Sequence, residues 1–459
     1  MSGHTSAPGI WRAPYGWMSL GSVALVFLAA LESLAVTTVM PVIAADLDGQ
    51  ALYALAFAGT LATSVIGMVC VGSWADRSGP SAPLTAAVVF FVAGLLVAGL
   101  APDMVTLIAG RLLQGLGAGG MTVALYVVVA RVYPPALHGR ILGAFAAAWV
   151  LPALVGPFLA GAVTELLHWR WVFLGVVVLA VGAFALLLPR LSRPELRSPG
   201  GVDRAPVVAR LLWAVAVAAG VLTLSVASEF AAGAPVLVAV GVVVIVVAIR
   251  PLLPPGTLRS APGLPSVIGL RGAAAAAFFS AEIYVPYVFI DVYGFSPVWA
   301  GLALTGAAVL WATGSNVQGR IGDRWSPRKI LGWGLGLTIV SVALVAAGVA
   351  AHLHPAVIIG AWTLAGGGMG LLYPRITMLM LAHSTTADQG KNSAALSIAD
   401  ATGAATAIAG AGLVVAALGG GVTGFVGAFV LATAVALVGV IPASRVEPSH
   451  ADRLDVRAR

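Results

Sequence analysis

Charge is scarce in this 459-residue chain. Asp, Glu, Lys and Arg together make up 9% of it, against about 25% in a soluble globular domain. Lysine is nearly missing: Lys329 and Lys391 are the whole complement, and the other 22 of the 24 basic residues are arginine. Cysteine occurs once, as Cys70, inside an apolar run where it reads as packing. A single thiol excludes an intrachain disulfide and a cysteine-built metal centre. The seven histidines stand at 4, 138, 168, 352, 354, 383 and 450, in tails, loops or the ends of apolar runs. No metal-ligand cluster and no nucleophile–base pair therefore emerges at mid-span. These shortages argue against a soluble domain, a disulfide scaffold and an intramembrane enzyme, and no cofactor or metal is expected. The net charge of +7 does not point to nucleic acid, because the arginines gather in alternate loops instead of lining one face.

What the chain has in excess is apolar length. It is 60% hydrophobic, and runs of 18 or more apolar residues, the signature of a membrane helix, recur from end to end. The first run is too long for a signal peptide and lacks a small-residue cleavage site after a short apolar core. Fourteen helices are predicted, near 17–45, 50–73, 82–101, 105–131, 139–165, 171–190, 208–228, 234–250, 265–291, 296–319, 328–350, 355–382, 391–418 and 422–442. The run at 234–250 is the shortest against the roughly 20 residues that a span needs.

Loop charges set the orientation. Arg77, Arg131, Arg140, the set Arg190, Arg193, Arg197, Arg204 and Arg210, then Arg250, Arg259, Arg271, Arg320, Arg324, Arg328, Lys329 and Lys391 lie in or beside alternate loops. The tail adds Arg445, Arg453, Arg457 and Arg459. The opposite loops hold Asp46, Asp48, Asp103, Glu165, Glu229 and Asp291, with only Arg170 against the trend. Cytoplasmic loops carry the positive excess, so both termini are expected in the cytoplasm of a multi-pass plasma-membrane protein.

The two halves repeat. "PVIAAD" from Pro41 returns as "PYVFID" from Pro286, 245 residues later; "GSWADRSG" around Asp76 returns as "GRIGDRWS" around Asp323, 247 later; "GRLLQGLGAGG" from Gly110 returns as "GAWTLAGGGMG" from Gly360, 250 later. Two six-helix bundles separated by a two-helix insert follow, an all-α integral membrane architecture of 6+2+6. The expected units are a cytoplasmic N-terminus at 1–16, an N-terminal bundle at 17–190, loops and two extra helices at 191–264, a C-terminal bundle at 265–442 and a tail at 443–459. Paired repeats of this kind belong to transporters, with the substrate site near the midplane between the halves. "GGGMG" in the twelfth run permits close helix packing; it is no phosphate cradle, since it lies inside an apolar span with no Lys-Ser/Thr after it.

Charges inside the runs are the functional candidates, because an intramembrane ionisable group is expensive. Glu32 lies about 14 residues, roughly 21 Å, into the first helix. Glu282 lies about as deep in its counterpart in the second half, and neither acid has an obvious fixed partner. Asp400 and Arg375 lie at similar depth in the inner halves of the thirteenth and twelfth helices. They read equally as a transport pair or as a structural ion pair. Phe278, Phe279, Tyr284 and Tyr287 flank Glu282 and read either as the lining of a cavity for aromatic or cationic molecules or as packing.

Several motifs carry a family resemblance, which extends over residues 17–442. "GSWADRSGPS", with Gly72, Asp76, Arg77 and Gly79, resembles the G-x-x-x-D-R-x-G loop of the major facilitator superfamily. In that family the loop latches the halves on the cytoplasmic side. The second copy has Gly319, Asp323 and Arg324 and keeps the basic pair Arg328 and Lys329, where the first has Pro80, Ser81 and Ala82. "RLLQGLGAG" resembles R-x-x-Q-G-x-G, through Arg111, Gln114, Gly115 and Gly117. In proton-coupled members that arginine tunes a nearby acid; read without the family, Arg111 is a snorkelling side chain near the outer end of its helix. "GAFAAAWVLPALVGPFLAG" resembles the antiporter signature of drug exporters through Gly143, Gly156, Pro157 and Gly161, with Pro152 and Ala160 in place of two glycines. "WRWVF" from Trp169 is typical of exporters and also suits an interfacial aromatic belt. "LESLAVTTVMP" is similar to the first-helix stretch of fourteen-helix drug exporters through Leu31, the acid at 32, Val36 and Pro41.

The resemblance implies a monomeric, proton-coupled secondary transporter that exports drug-like or amphipathic small molecules by antiport. Its partners are then the substrate, protons and the bilayer. The alternatives are a proton-coupled importer of a metabolite on the same fold and a non-transporting sensor or intramembrane enzyme. The helix-five signature speaks against the first, and the shortage of catalytic clusters and added domains against the second.

Overall fold

The structure, a computed structural model, describes residues 9–191, 205–230, 233–321, 324–385 and 388–447. Among them fourteen helices are long and apolar enough to cross a membrane. They are α1 (Gly16–Asp46), α2 (Gln50–Ser78), α3 (Ser81–Gly99), α4 (Met104–Val132), α5 (Arg140–Leu166), α6 (Arg170–Leu191), α7 (Val208–Glu229), α8 (Ala234–Leu252), α9 (Leu264–Asp291), α10 (Pro297–Ile321), α11 (Pro327–Ala350), α12 (Pro355–Ala382), α13 (Gln389–Ala417) and α14 (Gly421–Ala443). Helices satisfy every backbone group internally, which is what hydrocarbon demands. The short run at 234 gains its length from a 3₁₀ turn, Arg250–Leu252, that follows the α-helix Ala234–Ile249. An even number of spans puts the start of α1 and the end of α14 on one side, the termini face; the opposite side is the far face.

The repeat is visible in the packing. In the first bundle α1 packs on α5 and α6, and α4 on α2 and α3, while α3 meets α6. In the second bundle α9 packs on α13 and α14, and α12 on α10 and α11, while α11 meets α14. Adding eight to each helix number turns the first set into the second. The two bundles meet along two seams, α5 on α10 and α2 on α13, which exchange under the same operation. The insert breaks the symmetry: α7 packs on α8 and also on both α2 and α13.

Glycine makes the tightest of these contacts. A Cβ at Gly115 or Gly119 of α4 would strike the α2 carbonyls of Thr60 and Ser64, and one at Gly110 or Gly117 would strike the α3 backbone at Ala98 and Phe91. The "GGGMG" stretch does the same in the other half: Gly366 and Gly370 meet the α10 carbonyls of Ala307 and Trp311, and Gly368 lies against Gly334 and Thr338 of α11. Without a hydrophobic driving force between helices in lipid, close backbone approach of this kind supplies the association.

α9 is discontinuous. Its segments Leu264–Glu282 and Tyr284–Asp291 are interrupted in hydrogen bonding at Ile283, whose backbone stays helical at φ −62°, ψ −27°. Pro286 stands four residues after Glu282 and has no N–H to give the Glu282 carbonyl. At the adjacent residue, the Tyr53 hydroxyl of α2 donates to the Ile283 carbonyl at 2.5 Å. The break thus falls at the acid that the sequence singled out.

Candidate transport site

The first acid has a partner. Glu32 on α1 receives a charge-assisted hydrogen bond from Arg111 Nη1 of α4, with N and O 2.5 Å apart. The same nitrogen reaches Gln114 Oε1 at 2.8 Å, one helical turn along, and Arg111 Nε donates to the Ala56 carbonyl of α2 at 3.3 Å. Both charged side chains are only 5% exposed. Two expectations are corrected here: Glu32 is not partnerless, and Arg111 does not snorkel. An arginine at this depth is expensive, by roughly 3 kcal/mol or more, and facing a carboxylate across the helix interface offsets that cost.

The second acid is different. Glu282 ends the first segment of α9, is half-buried, and makes no hydrogen bond or ion pair with another described residue. One turn back on α9, Phe278 packs edge-on against Trp311 at 5.3 Å and stacks on Trp362 at 5.0 Å, and Trp311 continues edge-on to Tyr373 at 5.0 Å. Tyr284 and Tyr287, beyond the break, pack with Tyr53 and Phe425 instead and belong to the far-face seam.

Asp400 on α13 has a partner other than the arginine read opposite it. Arg271 Nε of α9 donates to Asp400 Oδ1 at 2.5 Å, and the Tyr373 hydroxyl donates to the same oxygen at 2.9 Å. The Arg271 guanidinium lies 3.5 Å over the Tyr373 ring. Depth along the helices placed Arg375 beside Asp400, but the helix faces bring Arg271 there. Arg271 went unrecognised as a site residue because it lies two turns into α9 and passed for a loop-flanking topology charge. Its pair with Asp400 is 17% and 26% exposed and lies in the termini-side half of α9.

The far side between the bundles is closed. A Cβ at Gly161 of α5 would come within 2.7 Å of the Pro297 carbonyl and of Val298 at the head of α10, and one at Gly301 would strike the Pro157 carbonyl. The Val298 N–H donates to Glu165 at 3.0 Å. On the other seam, a Cβ at Gly412 of α13 would lie 2.5 Å from that of Ala54 on α2. The antiporter-like stretch of α5 thus divides. Pro152, Gly156, Pro157 and Gly161 are buried, with Gly156 against Leu31 of α1, whereas Gly143 is exposed with nothing within 4 Å of the place its Cβ would take. The WRWVF stretch also works on the far face: Trp169 Nε1 donates to Asp46 at 2.8 Å, and Arg170 lies 3.9 Å from the same carboxylate.

The loop motifs sit at the termini face. Asp76 and Arg77 lie in the last turn of α2, and Arg77 Nε donates to the Ser73 carbonyl at 3.1 Å. Gly72 lies against Val123 of α4, and Gly79 ends α2 at φ 84°. In the second copy Gly319 is exposed in the last turn of α10, Arg324 follows in an exposed turn, and Arg328 lies 3.8 Å from Glu447. Asp323 lies outside the described residues.

Two matched bundles, paired seams and charged groups between them are the anatomy of a rocking transporter, and the relatives agree. Residues 23–314 match the Major Facilitator Superfamily. The chain belongs to that superfamily. It is 30% identical to probable multidrug-efflux transporters from two strains of Mycobacterium tuberculosis, over 99% of this chain and 99% of theirs. Over 39% of its length it is 33% identical to the acurin A biosynthesis cluster MFS-type transporter of Aspergillus aculeatus, covering 32% of that protein. Among solved structures, a POT family transporter in complex with 5-aminolevulinic acid superposes with a TM-score of 0.67 at 14% identity, covering 95% of this chain and 97% of that one. A bacterial homologue of the human lysosomal transporter Spinster, in an inward-facing and unoccupied conformation, gives 0.65 at 16% identity, over 95% and 97%. These likenesses establish the major facilitator fold, 6+2+6, for this member of a family of transporters rather than enzymes.

Proposed function

We propose that this transporter exports drug-like, amphipathic small molecules in exchange for protons, as a monomer in the plasma membrane with its termini face in the cytoplasm. The direction rests on the helix-five signature and on the relatives named as probable multidrug-efflux transporters. The orientation rests on the arginine bias of the termini face. The units remain those proposed from sequence: bundles at 17–190 and 265–442 around an insert at 191–264.

The observation that carries the coupling is the contrast between the two matched acids. Glu32 is held by Arg111, itself held by Gln114, inside the first bundle. Glu282 stands at the interruption of α9, half-buried, with no ion pair among the described residues. A buried carboxyl without a counter-ion is the one that can accept a proton or the cationic end of a substrate, each excluding the other. Glu282 is thus assigned as the exchange site and Glu32–Arg111–Gln114 as the fixed charge of the partner bundle. Asp400, held by Arg271 with Tyr373, lines the opening on the termini side, with Arg375 farther along α12 toward the same face. Gly72, Asp76, Arg77, Gly79, Gly319, Asp323, Arg324 and Arg328 act in the loops that close that face. Gly143, Pro152, Gly156, Pro157 and Gly161 serve the α5 seam.

The test is proton release on substrate addition in proteoliposomes, comparing wild type with Glu282→Gln and Glu32→Gln. Glu282→Gln is expected to release no proton while still binding substrate, and Glu32→Gln to keep partial release. Full proton-coupled transport by Glu282→Gln removes the assignment. Substrate accumulation in cells driven by an inward proton gradient removes export in favour of import.

A further inference from the structure

The repeat relates single positions as well as helices. Gly115, Gly117 and Gly119 of α4 lie against Thr60, Ala87, Phe91 and Ser64. Gly366, Gly368 and Gly370 of α12 lie against Ala307, Gly334, Thr338 and Trp311. Each contacted residue of α2 or α3 returns on α10 or α11 after the same 247 residues. Arg111 stands one turn before Gly115, and Trp362 stands one turn before Gly366. Trp362 therefore occupies the place of Arg111, and the helix it faces, α9, is the counterpart of α1. Arg111 reaches Glu32 across that interface. Trp362 reaches no acid: its ring stacks on Phe278 at 5.0 Å, with the planes 26° apart.

Two polar groups are left unmatched at this place. Trp362 is fully buried, and its Nε1 has no hydrogen-bond partner among the described residues. An indole N–H can only donate, and a buried donor without an acceptor is costly. Glu282 can accept, and it makes no hydrogen bond or ion pair with another described residue. The two lie at like depth. Trp362 is seven residues in from the far end of α12, and Glu282 is nine from the far end of α9. Phe278, which stacks on the indole, is one turn before Glu282 on the same face of α9. The hydrogen bonding of α9 is interrupted directly after the acid, which is where a turn of Glu282 relative to Phe278 costs least.

We propose that Trp362 is a positioning residue for Glu282: its indole N–H bonds the Glu282 carboxylate once the far seams part, and holds the acid between departure of the substrate and arrival of the proton. In the far-closed conformation the bond is unmade, and donor and acceptor each stand unsatisfied. Making it offsets part of the cost of opening the far face. The difference between the bundles then follows from the two donors. Arg111 carries a permanent charge and fixes Glu32. A neutral indole lends Glu282 one hydrogen bond and leaves it free to take a proton or a cation. This inference deepens the assignment of Glu282 as the exchange site and rests on that reading.

The test reads the far-open population of the full chain in proteoliposomes. In a Cys70→Ser background, Ala54→Cys reports it through its rate of reaction with a membrane-impermeant maleimide applied to the far face. A bond made in one state only shifts the population toward that state. Trp362→Phe keeps a ring against Phe278 and loses the N–H. It is expected to slow labelling roughly ten-fold, the weight of one hydrogen bond to a charged group. Benzothienylalanine at position 362 has sulfur in place of the N–H on fused rings of the same shape, and is expected to match Trp362→Phe. Labelling of that protein at the wild-type rate overturns the proposal, even where Trp362→Phe fails to fold. In a Glu282→Leu background, either exchange at 362 is expected to leave the rate unchanged. A further slowing there assigns the N–H to another acceptor and overturns the pairing. No proton enters this readout. If the pairing fails while Glu282→Gln still releases no proton, the exchange site stands without Trp362; normal proton release by Glu282→Gln removes the exchange site whatever the labelling shows.

Discussion

Arg111 and Glu32 show what a single residue can and cannot announce. Each was legible as a costly charge in an apolar run, and the R-x-x-Q-G pattern flagged Arg111 and Gln114 together. That they face each other was not legible, because helix rotation decides it and the two lie 79 positions apart. Asp400 makes the same point in reverse: depth suggested Arg375, and the helix faces bring Arg271. Breaking a buried pair by removing one partner leaves an uncompensated charge and costs about 3–5 kcal/mol, whereas replacing both members is far milder. Arg111→Gln is therefore expected to shorten the half-life of detergent-solubilised protein sharply, and Arg111→Gln with Glu32→Gln to recover most of it. A double variant as unstable as the single one would show that Arg111 contributes mainly through Ala56 and Gln114. For the second bundle, Arg271→Gln and Asp400→Asn are expected to be non-additive in a thermal-stability cycle. Arg375→Gln and Asp400→Asn should add to within about 0.5 kcal/mol, because the carboxylate of Asp400 is bonded to Arg271 and Tyr373. Coupling of the second pair instead of the first would overturn the observed pairing.

At the scale of elements, the fourteen spans were readable because each needs only an apolar run of sufficient length, and the structure moves their ends by a few residues. The break in α9 was not read, although its cause is in the sequence: Pro286 lies one turn beyond Glu282. The division of α5 was also hidden, since nothing in "GAFAAAWVLPALVGPFLAG" says that Gly161 is tightly packed while Gly143 is bare. Crowding at Gly301 gives this division a test. Its missing Cβ leaves room for the Pro157 carbonyl, so Gly301→Val must push α5 and α10 apart at the far face, an overpacking that costs about 1–3 kcal/mol where helices cannot shift. The closed far seam is thereby weakened relative to the open one. In a Cys70→Ser background, Ala54→Cys on the neighbouring seam is expected to react several-fold faster with a membrane-impermeant maleimide applied to the far face once Gly301→Val is added. An unaltered rate would mean that the α5–α10 contact does not hold that side closed.

For the whole molecule, the repeat at offsets near 250 residues was enough to foresee two like bundles. It could not place the insert, because the position of α7 between α2 and α13 is set by surfaces that no local pattern marks. The consequence of two bundles meeting at paired seams is alternating access: substrate passes only if the far seams part while the termini side closes. Population-shift reasoning makes this demanding, since a transporter locked in one state moves nothing however well it binds. Ala54 and Gly412 supply the lock. A Cβ at Gly412 would lie 2.5 Å from that of Ala54, and a disulfide needs about 3.5–4.5 Å, so a small outward shift brings two introduced thiols into bonding geometry. In the Cys70→Ser background, Ala54→Cys with Gly412→Cys is expected to transport when reduced, to lose transport on oxidation and to regain it with dithiothreitol, each single variant being indifferent to oxidant. Substrate binding from the termini face should persist in the oxidised protein, because the space between the bundles is still open on that side. Transport at the wild-type rate by fully cross-linked protein would show that the α2–α13 seam never opens at the far face. Substrate would then have to leave past α5 and α10 alone, and the symmetric rocking implied by the repeat would give way to a one-sided hinge about α7.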